Sequence, residues 1–191
     1  RAVMASAATN LCPVTLELGG KAPAVVAPDF SITTAAERIM WVKMFNSGQI
    51  CTNVDYLVAP AEKVDEFVRE AKRIANARFP DIFNSGEYTS VIDQRSYDRL
   101  LATLEDARSK GAKIVPLFDQ KNTMPTIANQ RIMPPVLVLN VTDDMDIMQR
   151  EIFGPLLPIK TYKTKEEGAR RRSVCRSVKR ATWTRTRKNS S

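Results

Sequence analysis

The 191-residue chain contains no histidine. That absence excludes Ser-His-Asp hydrolases, Cys-His proteases and metal sites built on imidazole. Acid–base chemistry must then run on carboxylate, lysine, tyrosine or cysteine groups. Cysteine is scarce: Cys12, Cys51 and Cys175 are an odd number at wide, irregular spacing. Such spacing builds neither a disulfide framework nor a metal cluster, and it fits free thiols in a reducing, cytoplasmic compartment. No run of about 18 apolar residues occurs, so no membrane-spanning helix is expected. The opening Arg1-Ala2-Val3-Met4 lacks the apolar stretch of a signal peptide. The chain does not begin with methionine, which reads as a missing start.

What is present suits a globular chain. Hydrophobic residues make up 43% of it, enough for one domain or one domain with a piece of another. The net charge of +8 is unevenly spread. Residues 163–191 carry 11 Lys/Arg against 2 Asp/Glu, which leaves residues 1–162 close to neutral. Apolar residues in that tail are few and follow neither a strand nor a helix period. It is expected to be disordered or weakly ordered, or to be out-of-frame sequence.

Periodicity over the body alternates strands with helices. Strands are expected at Val14–Leu18, Ala24–Ala27, Tyr56–Ala59, Ile114–Leu117, Val136–Val141 and Leu156–Tyr162. Thr34 and Glu37 have the spacing of a capping box, which predicts a helix apolar nearly all round through Ile39, Met40, Trp41, Val42, Met44 and Phe45. Asn46-Ser47-Gly48 should end it. After Pro60, a second helix carries Val64, Phe67, Val68, Ala71, Ile74 and Ala75 on one face. A third carries Tyr97, Leu100, Leu101, Leu104 and Ala107 and stops at Gly111. Residues 118–133 read as a loop. The alternation predicts an α/β fold, a mostly parallel sheet flanked by helices.

Chemistry could reside at three places. Cys51 follows a polar, glycine-bearing turn after an apolar helix, where a thiol could be exposed among backbone N–H groups. It could equally be a small buried hydrophobe. With no histidine to activate it, its partner would be a carboxylate. Glu17 stands in Glu17-Leu18-Gly19-Gly20-Lys21, a charge in an apolar stretch before a glycine pair that admits close approach. It could also be an edge glutamate paired with Lys21. Glu151 and Phe153 stand in Glu151-Ile152-Phe153-Gly154-Pro155. A carboxylate there could accept from a ribose diol and the ring could pack on a planar cofactor, or the segment could be a helix end with Phe153 in the core.

Together the three motifs are far more specific. Glu-Leu-Gly-Gly-Lys, then Gly-Gln-Ile-Cys with Cys51 34 positions after Glu17, then Glu-Ile-Phe-Gly-Pro 100 positions after Cys51, resembles the aldehyde dehydrogenase superfamily over roughly residues 1–162. Gly48–Tyr56 and Arg1–Ala8 look most like its bacterial coniferyl aldehyde dehydrogenases. The resemblance implies the catalytic domain of an aldehyde dehydrogenase, truncated at both ends. Residues 1–18 would be the C-terminal remnant of the dinucleotide-binding domain, 19–162 the catalytic domain and 163–191 the basic tail. Residues 1–12 would form the helix following the cofactor-binding turn.

The resemblance also implies roles. Cys51 is the nucleophile, its own N–H one oxyanion donor, and Glu17 the base that activates water. Glu151 holds the nicotinamide ribose of NAD or NADP, and Phe153 packs by the nicotinamide ring. The function implied is oxidation of an aldehyde, aromatic in the coniferyl branch, to a carboxylic acid. The substrate is a small-molecule aldehyde, with no metal and no membrane partner, and the parent enzyme is expected to be a homo-oligomer. Three other readings stand beside it: transfer of the acyl group to coenzyme A, an inactive fragment or non-catalytic pairing subunit, and nucleic-acid or anionic-membrane binding by Arg170–Arg172 with Lys179-Arg180 and Arg185–Lys188, near Trp183. Cys51 is expected to alkylate faster than a buried Cys12.

Overall fold

The computed structural model describes residues 2–17, 19–84, 86–118, 131–164 and 166–168. Its elements are α1 (Ala2–Thr9), β1 (Pro23–Val25), α2 (Ile32–Met44), β2 (Tyr56–Pro60), α3 (Val64–Arg78), α4 (Gln94–Ser109), β3 (Lys113–Pro116), β4 (Val136–Leu139), α5 (Asp146–Gln149) and β5 (Leu156–Tyr162). The strands form a five-stranded sheet in the order β1-β2-β5-β4-β3. β1, β2, β5 and β4 run parallel, and only β3 is antiparallel to its neighbour. The expected α/β class with a mostly parallel sheet is what forms.

The central strands explain why. Every residue of β2 is buried, as is β5 apart from Thr161. Strands covered on both faces read as continuous apolar runs, which suits parallel pairing under helices. Alternate side chains divide between two cores. Leu57, Ala59, Leu157 and Ile159 join Met40 of α2 and Phe67 of α3. Tyr56, Val58 and Leu156 join Leu100 of α4 and Ile147 of α5 on the opposite face.

The helices follow their apolar spacing. α3 buries Val64, Phe67, Ala71 and Ala75, with Asp65 and Glu66 in its first turn and Arg78 in its last, complementing the helix dipole. A short 3₁₀ turn at Ala61–Lys63 precedes it. α4 is capped by Asp93, whose carboxylate accepts from the Ser96 N–H at 2.7 Å, and it buries Leu100 and Ala107. Gly111 adopts φ +90° just beyond its end, a conformation that costs glycine little.

Several expectations are corrected. Val14–Glu17 form no strand: they are irregular, classed as exposed, and pair with no strand among the described residues. α2 starts at Ile32, not through a Thr34–Glu37 box: Ser31 is the N-cap and accepts from the Thr34 N–H at 3.3 Å. Nor is α2 apolar-buried all round. Trp41 and Phe45 are each 52% exposed and stack with centroids 5.4 Å apart. Cys12 is exposed, not buried, in the irregular stretch that follows α1. The short α5 has no counterpart in the periodicity, being too brief to show one. Past Lys163, residues 166–168 form one helical turn, with the Gly168 N–H donating to the Thr164 carbonyl at 3.0 Å, and the tail from 169 on, expected to be disordered or weakly ordered, lies outside the described residues. Most of the expected 118–133 loop, together with Cys175 and the basic clusters at 170–188, lies outside the described residues.

Candidate active site

The Cys51 turn is built by an unusual backbone. After α2 the chain enters a 3₁₀ turn over Phe45–Gly48, in which Asn46 and Ser47 take φ of +49° and +55° and Gly48 takes +72°. Left-handed conformations at two non-glycine residues are costly and persist only where the surroundings over-determine them. Here the bonds that do so are visible. Gln49 donates to the Asn46 and Ser90 carbonyls, both at 3.1 Å, and its side-chain oxygen accepts from the Ile92 N–H at 2.9 Å. Buried Asn53 donates to the Gly48 carbonyl at 2.6 Å, closing the loop around Cys51. Cys51 is left exposed as a free thiol, so the alternative of a buried hydrophobe is set aside.

The third motif runs alongside. A Cβ on Gly48 would lie 2.3 Å from the Gly154 carbonyl oxygen, so only glycine lets these backbones meet. Gly154 in turn faces Leu100, with a Cβ position 2.6 Å from a methyl group. Phe153, at φ +46°, is 39% exposed and does not enter the core. Residues 151–155 therefore form an irregular connection between α5 and β5, and Phe153 points away from the apolar interior.

The first motif meets the same connection from its other end. A Cβ on Gly19 would fall 2.0 Å from Glu151 Oε2, so Gly19 lets the chain pass directly over that carboxylate. Burial raises the Glu151 carboxyl above the usual range; the Gly20 N–H, donating to it, opposes the rise, while the charges of Asp55 and Glu17 add to it. Glu17 itself is exposed and accepts from the Gly19 N–H at 3.0 Å. Thus Glu17, Gly19 and Glu151 share one corner. Among the described residues no hydrogen bond joins Glu17 to Cys51.

Lys21 does not serve Glu17 in the way the sequence suggested. Its ammonium group, fully buried, lies 2.5 Å from Asp55 Oδ2 and donates to the carbonyls of Ile147 at 2.7 Å and Arg150 at 2.9 Å. The second Asp55 oxygen accepts from the Ile152 N–H at 2.9 Å. Lys43, also fully buried, donates to the Val54 carbonyl at 3.0 Å, and desolvation pulls its pKa down to about 7 against the raising effect of Asp55. Neither Asp55 nor Lys43 was singled out from the sequence. A signal existed, since Lys43 sits on the apolar face of α2 and Lys21 and Asp55 fall inside the two motifs.

Arg99, Thr103, Arg150, Glu151 and Phe153 line a cleft of about 410 Å³ beside this connection. That is the size of a small-ligand site. A partly buried carboxylate next to a partly exposed ring suits a ribose diol attached to a flat heterocycle. Among the described residues no cluster of three or more His, Cys, Asp or Glu could hold a metal. No described helix is long and apolar enough to cross a membrane.

Fold and site together define a class: an α/β catalytic domain in which a cysteine turn, a glutamate–glycine strand entry and a Glu-Ile-Phe-Gly connection meet at the end of a mostly parallel sheet where β1, β2 and β5 begin. Comparison makes the class specific. The aldehyde dehydrogenase family profile matches residues 1–175, and the chain belongs to that family. The match continues past Tyr162, the limit of the resemblance read from the sequence. A probable coniferyl aldehyde dehydrogenase of Caulobacter vibrioides is 47% identical over 165 residues, which are 86% of this chain and 34% of that protein. Its counterpart in Pseudomonas aeruginosa is also 47% identical, over 86% of this chain and 33% of its own length. The solved aldehyde dehydrogenase of Mycobacterium tuberculosis in complex with NAD+ superposes with a TM-score of 0.73 at 28% identity, covering 87% of this chain and 34% of that one. The chain thus spans about a third of the length of the relatives it matches.

Proposed function

We propose that this chain carries the catalytic half-site of an enzyme that oxidises an aldehyde, of the aromatic coniferyl type, to a carboxylic acid with NAD or NADP. Residues 1–18 belong on this reading to the dinucleotide-binding domain, 19–162 to the catalytic domain and 163–191 to a separate basic tail. The observation that carries the proposal is the convergence of the three motifs on residues 151–154, through Gly19 against Glu151, Asp55 on Ile152 and Gly48 against Gly154.

The chemistry follows from the groups available. The Cys51 sulfur, as thiolate, adds to the aldehyde carbon and forms a C–S bond, with the Cys51 N–H donating to the oxygen that gains charge. When bound, a nicotinamide cofactor would supply the hydride acceptor, and Cys51 would then hold the acyl group as a thioester. Glu17 takes a proton from water, whose oxygen attacks the thioester carbon. The C–S bond breaks, the carboxylic acid leaves and the Cys51 thiolate returns. Glu151 would hold the cofactor ribose, and Phe153 would flank its ring. Exposure of both Glu17 and Cys51 supports this division, because water must reach each of them. A base placed for water favours free acid over transfer to coenzyme A. A reducing cytoplasmic setting suits the two exposed thiols, and a homo-oligomeric parent accords with the reading.

The test is incubation of the purified chain with coniferyl aldehyde and NAD, following free acid and the mass of the Cys51 peptide. Cys51→Ser should abolish acid formation, a loss on the order of a thousandfold or more. Glu17→Gln should accumulate an acylated Cys51 peptide. Acid formed at the parental rate by Cys51→Ser overturns the proposal. A second reading, a non-catalytic fragment, is favoured by the share of the relatives that the chain spans. It predicts no acid and no acyl-cysteine from any variant.

A further inference from the structure

We propose that Lys21 and Asp55 are a positioning pair, which sets where Glu151 and Phe153 stand relative to Cys51. The inference rests on the functional reading above and extends it to two residues to which that reading gives no contact with substrate or cofactor. The hydrogen-bond arithmetic is its basis. A lysine ammonium has three protons to give. Among the described residues Lys21 donates to Asp55, the Ile147 carbonyl and the Arg150 carbonyl. Two of these acceptors are backbone groups on and just after α5. The Asp55 carboxylate divides its oxygens, one to Lys21 and one to the Ile152 N–H. From the opposite side Arg99 donates to the Ile152 carbonyl at 2.9 Å. Both polar groups of Ile152 are thereby held by charged side chains, and its two chain neighbours are Glu151 and Phe153.

The other end of the device is anchored to the nucleophile. Asp55 lies four residues after Cys51 in the same short connection, and its own N–H donates to the Ala22 carbonyl at 2.9 Å, next to Lys21. One carboxylate therefore ties the cysteine connection, the Gly-Gly-Lys segment and the Glu-Ile-Phe connection together. Stability alone is a poor reason for such a pair. Burying two charges at side-chain exposures of 0% and 3% costs desolvation that apolar packing would avoid. What the pair adds is direction, because charge-assisted hydrogen bonds fix geometry more tightly than apolar contacts do.

A double-mutant cycle separates positioning from mere support. NADH binding is titrated by fluorescence for the unaltered chain, Asp55→Asn, Glu151→Gln and the combination, with melting temperature recorded for each. Asp55→Asn keeps an oxygen for Ile152 but turns an amide toward Lys21. If Asp55 acts through Glu151, each single change weakens binding about tenfold, and the double variant is within about twofold of Glu151→Gln. Independent losses, about a hundredfold in the double variant, overturn the proposal. So does unchanged binding by Asp55→Asn, or no NADH binding by the unaltered chain. Should Asp55→Asn fail to fold, Lys21→Met takes its place in the cycle. Lys21→Arg, which preserves the charge, is expected to bind NADH within a few-fold of the unaltered chain; a loss as large as that of Lys21→Met overturns the proposal. The Cys51→Ser and Glu17→Gln assays stand apart from this cycle, so failure of the pair and failure of the enzymatic reading are told apart.

Discussion

The two sides of Gly19 are opposite kinds of structure. Before it, residues 2–17 bury almost nothing: α1 has no buried residue, Leu11 is 93% exposed, and Val3 and Met4 are 64% and 54% exposed. After it, Lys21 is sealed among the backbone carbonyls of a connection more than a hundred residues away. The first region has ordinary apolar side chains and no core. The second has charges and a core around them. The comparison teaches that motif residues only a few positions apart can depend on different bodies of structure. Glu17 belongs to the loosely held side, whereas its neighbours Gly19 and Lys21 are fixed by contacts with Glu151 and Asp55.

The sharpest way to break the packed region is Gly48→Ala. The new methyl carbon would stand 2.3 Å from the Gly154 carbonyl oxygen at a backbone φ of +72°. Overpacking against backbone and left-handed strain add, so a loss of about 3–5 kcal/mol is expected. Urea unfolding monitored by Trp41 fluorescence measures it. A loss below about 1 kcal/mol would mean that the two connections do not touch in solution.

Lys43→Met should act in the opposite direction. The folded chain holds Lys43 near pKa 7 against an ordinary value of 10.5, so between those pH values it binds fewer protons folded than unfolded. Stability therefore rises with pH across that window, and the cost of burying the amine is fully present below about pH 7. Methionine has a similar shape and no charge. Allowing for the lost bond to Val54, a gain of about 2 kcal/mol is expected at pH 7, with a flatter dependence up to pH 10. Thermal unfolding at pH 6, 8 and 10 checks both. A variant less stable than its parent at every pH shows that the amine's hydrogen bond outweighs its desolvation.

These residues also show where the sequence was legible. The order and spacing of the three motifs pointed to the family, and apolar runs such as Leu57–Ala59 and Leu156–Ile159 announced covered strands because burial on both faces leaves no polar position. Helix faces emerged wherever their inner side was consistently apolar, as in α3. The polar machinery behind the motifs was hidden. Lys21 and Asp55 are 34 positions apart, and Lys21 and Ile147 are 126 apart, so each reads locally as a surface charge. Lys43 carried a readable clue, a cation between Met40 and Met44 on a buried helix face. The Val14–Leu18 strand failed for the converse reason. Its alternation described a side chain pattern suited to a sheet, and among the described residues no neighbouring strand pairs with Val14–Glu17.

The smallest effect is expected in that unpartnered region. Leu11 stands at φ +49° just after an eight-residue helix, a length at which an isolated helix is marginal in water. Replacing it by serine removes no buried contact and should change the unfolding free energy by less than about 0.5 kcal/mol. Amide exchange adds an independent reading. The α1 amides should exchange within seconds to minutes, whereas those of β2 and β5 persist, because local opening is cheap where few apolar contacts oppose it. A loss above about 1 kcal/mol for Leu11→Ser, or protected amides in Ala2–Thr9, would place α1 against the body of the chain. Glu17 would then be held from both sides rather than from Gly19 alone.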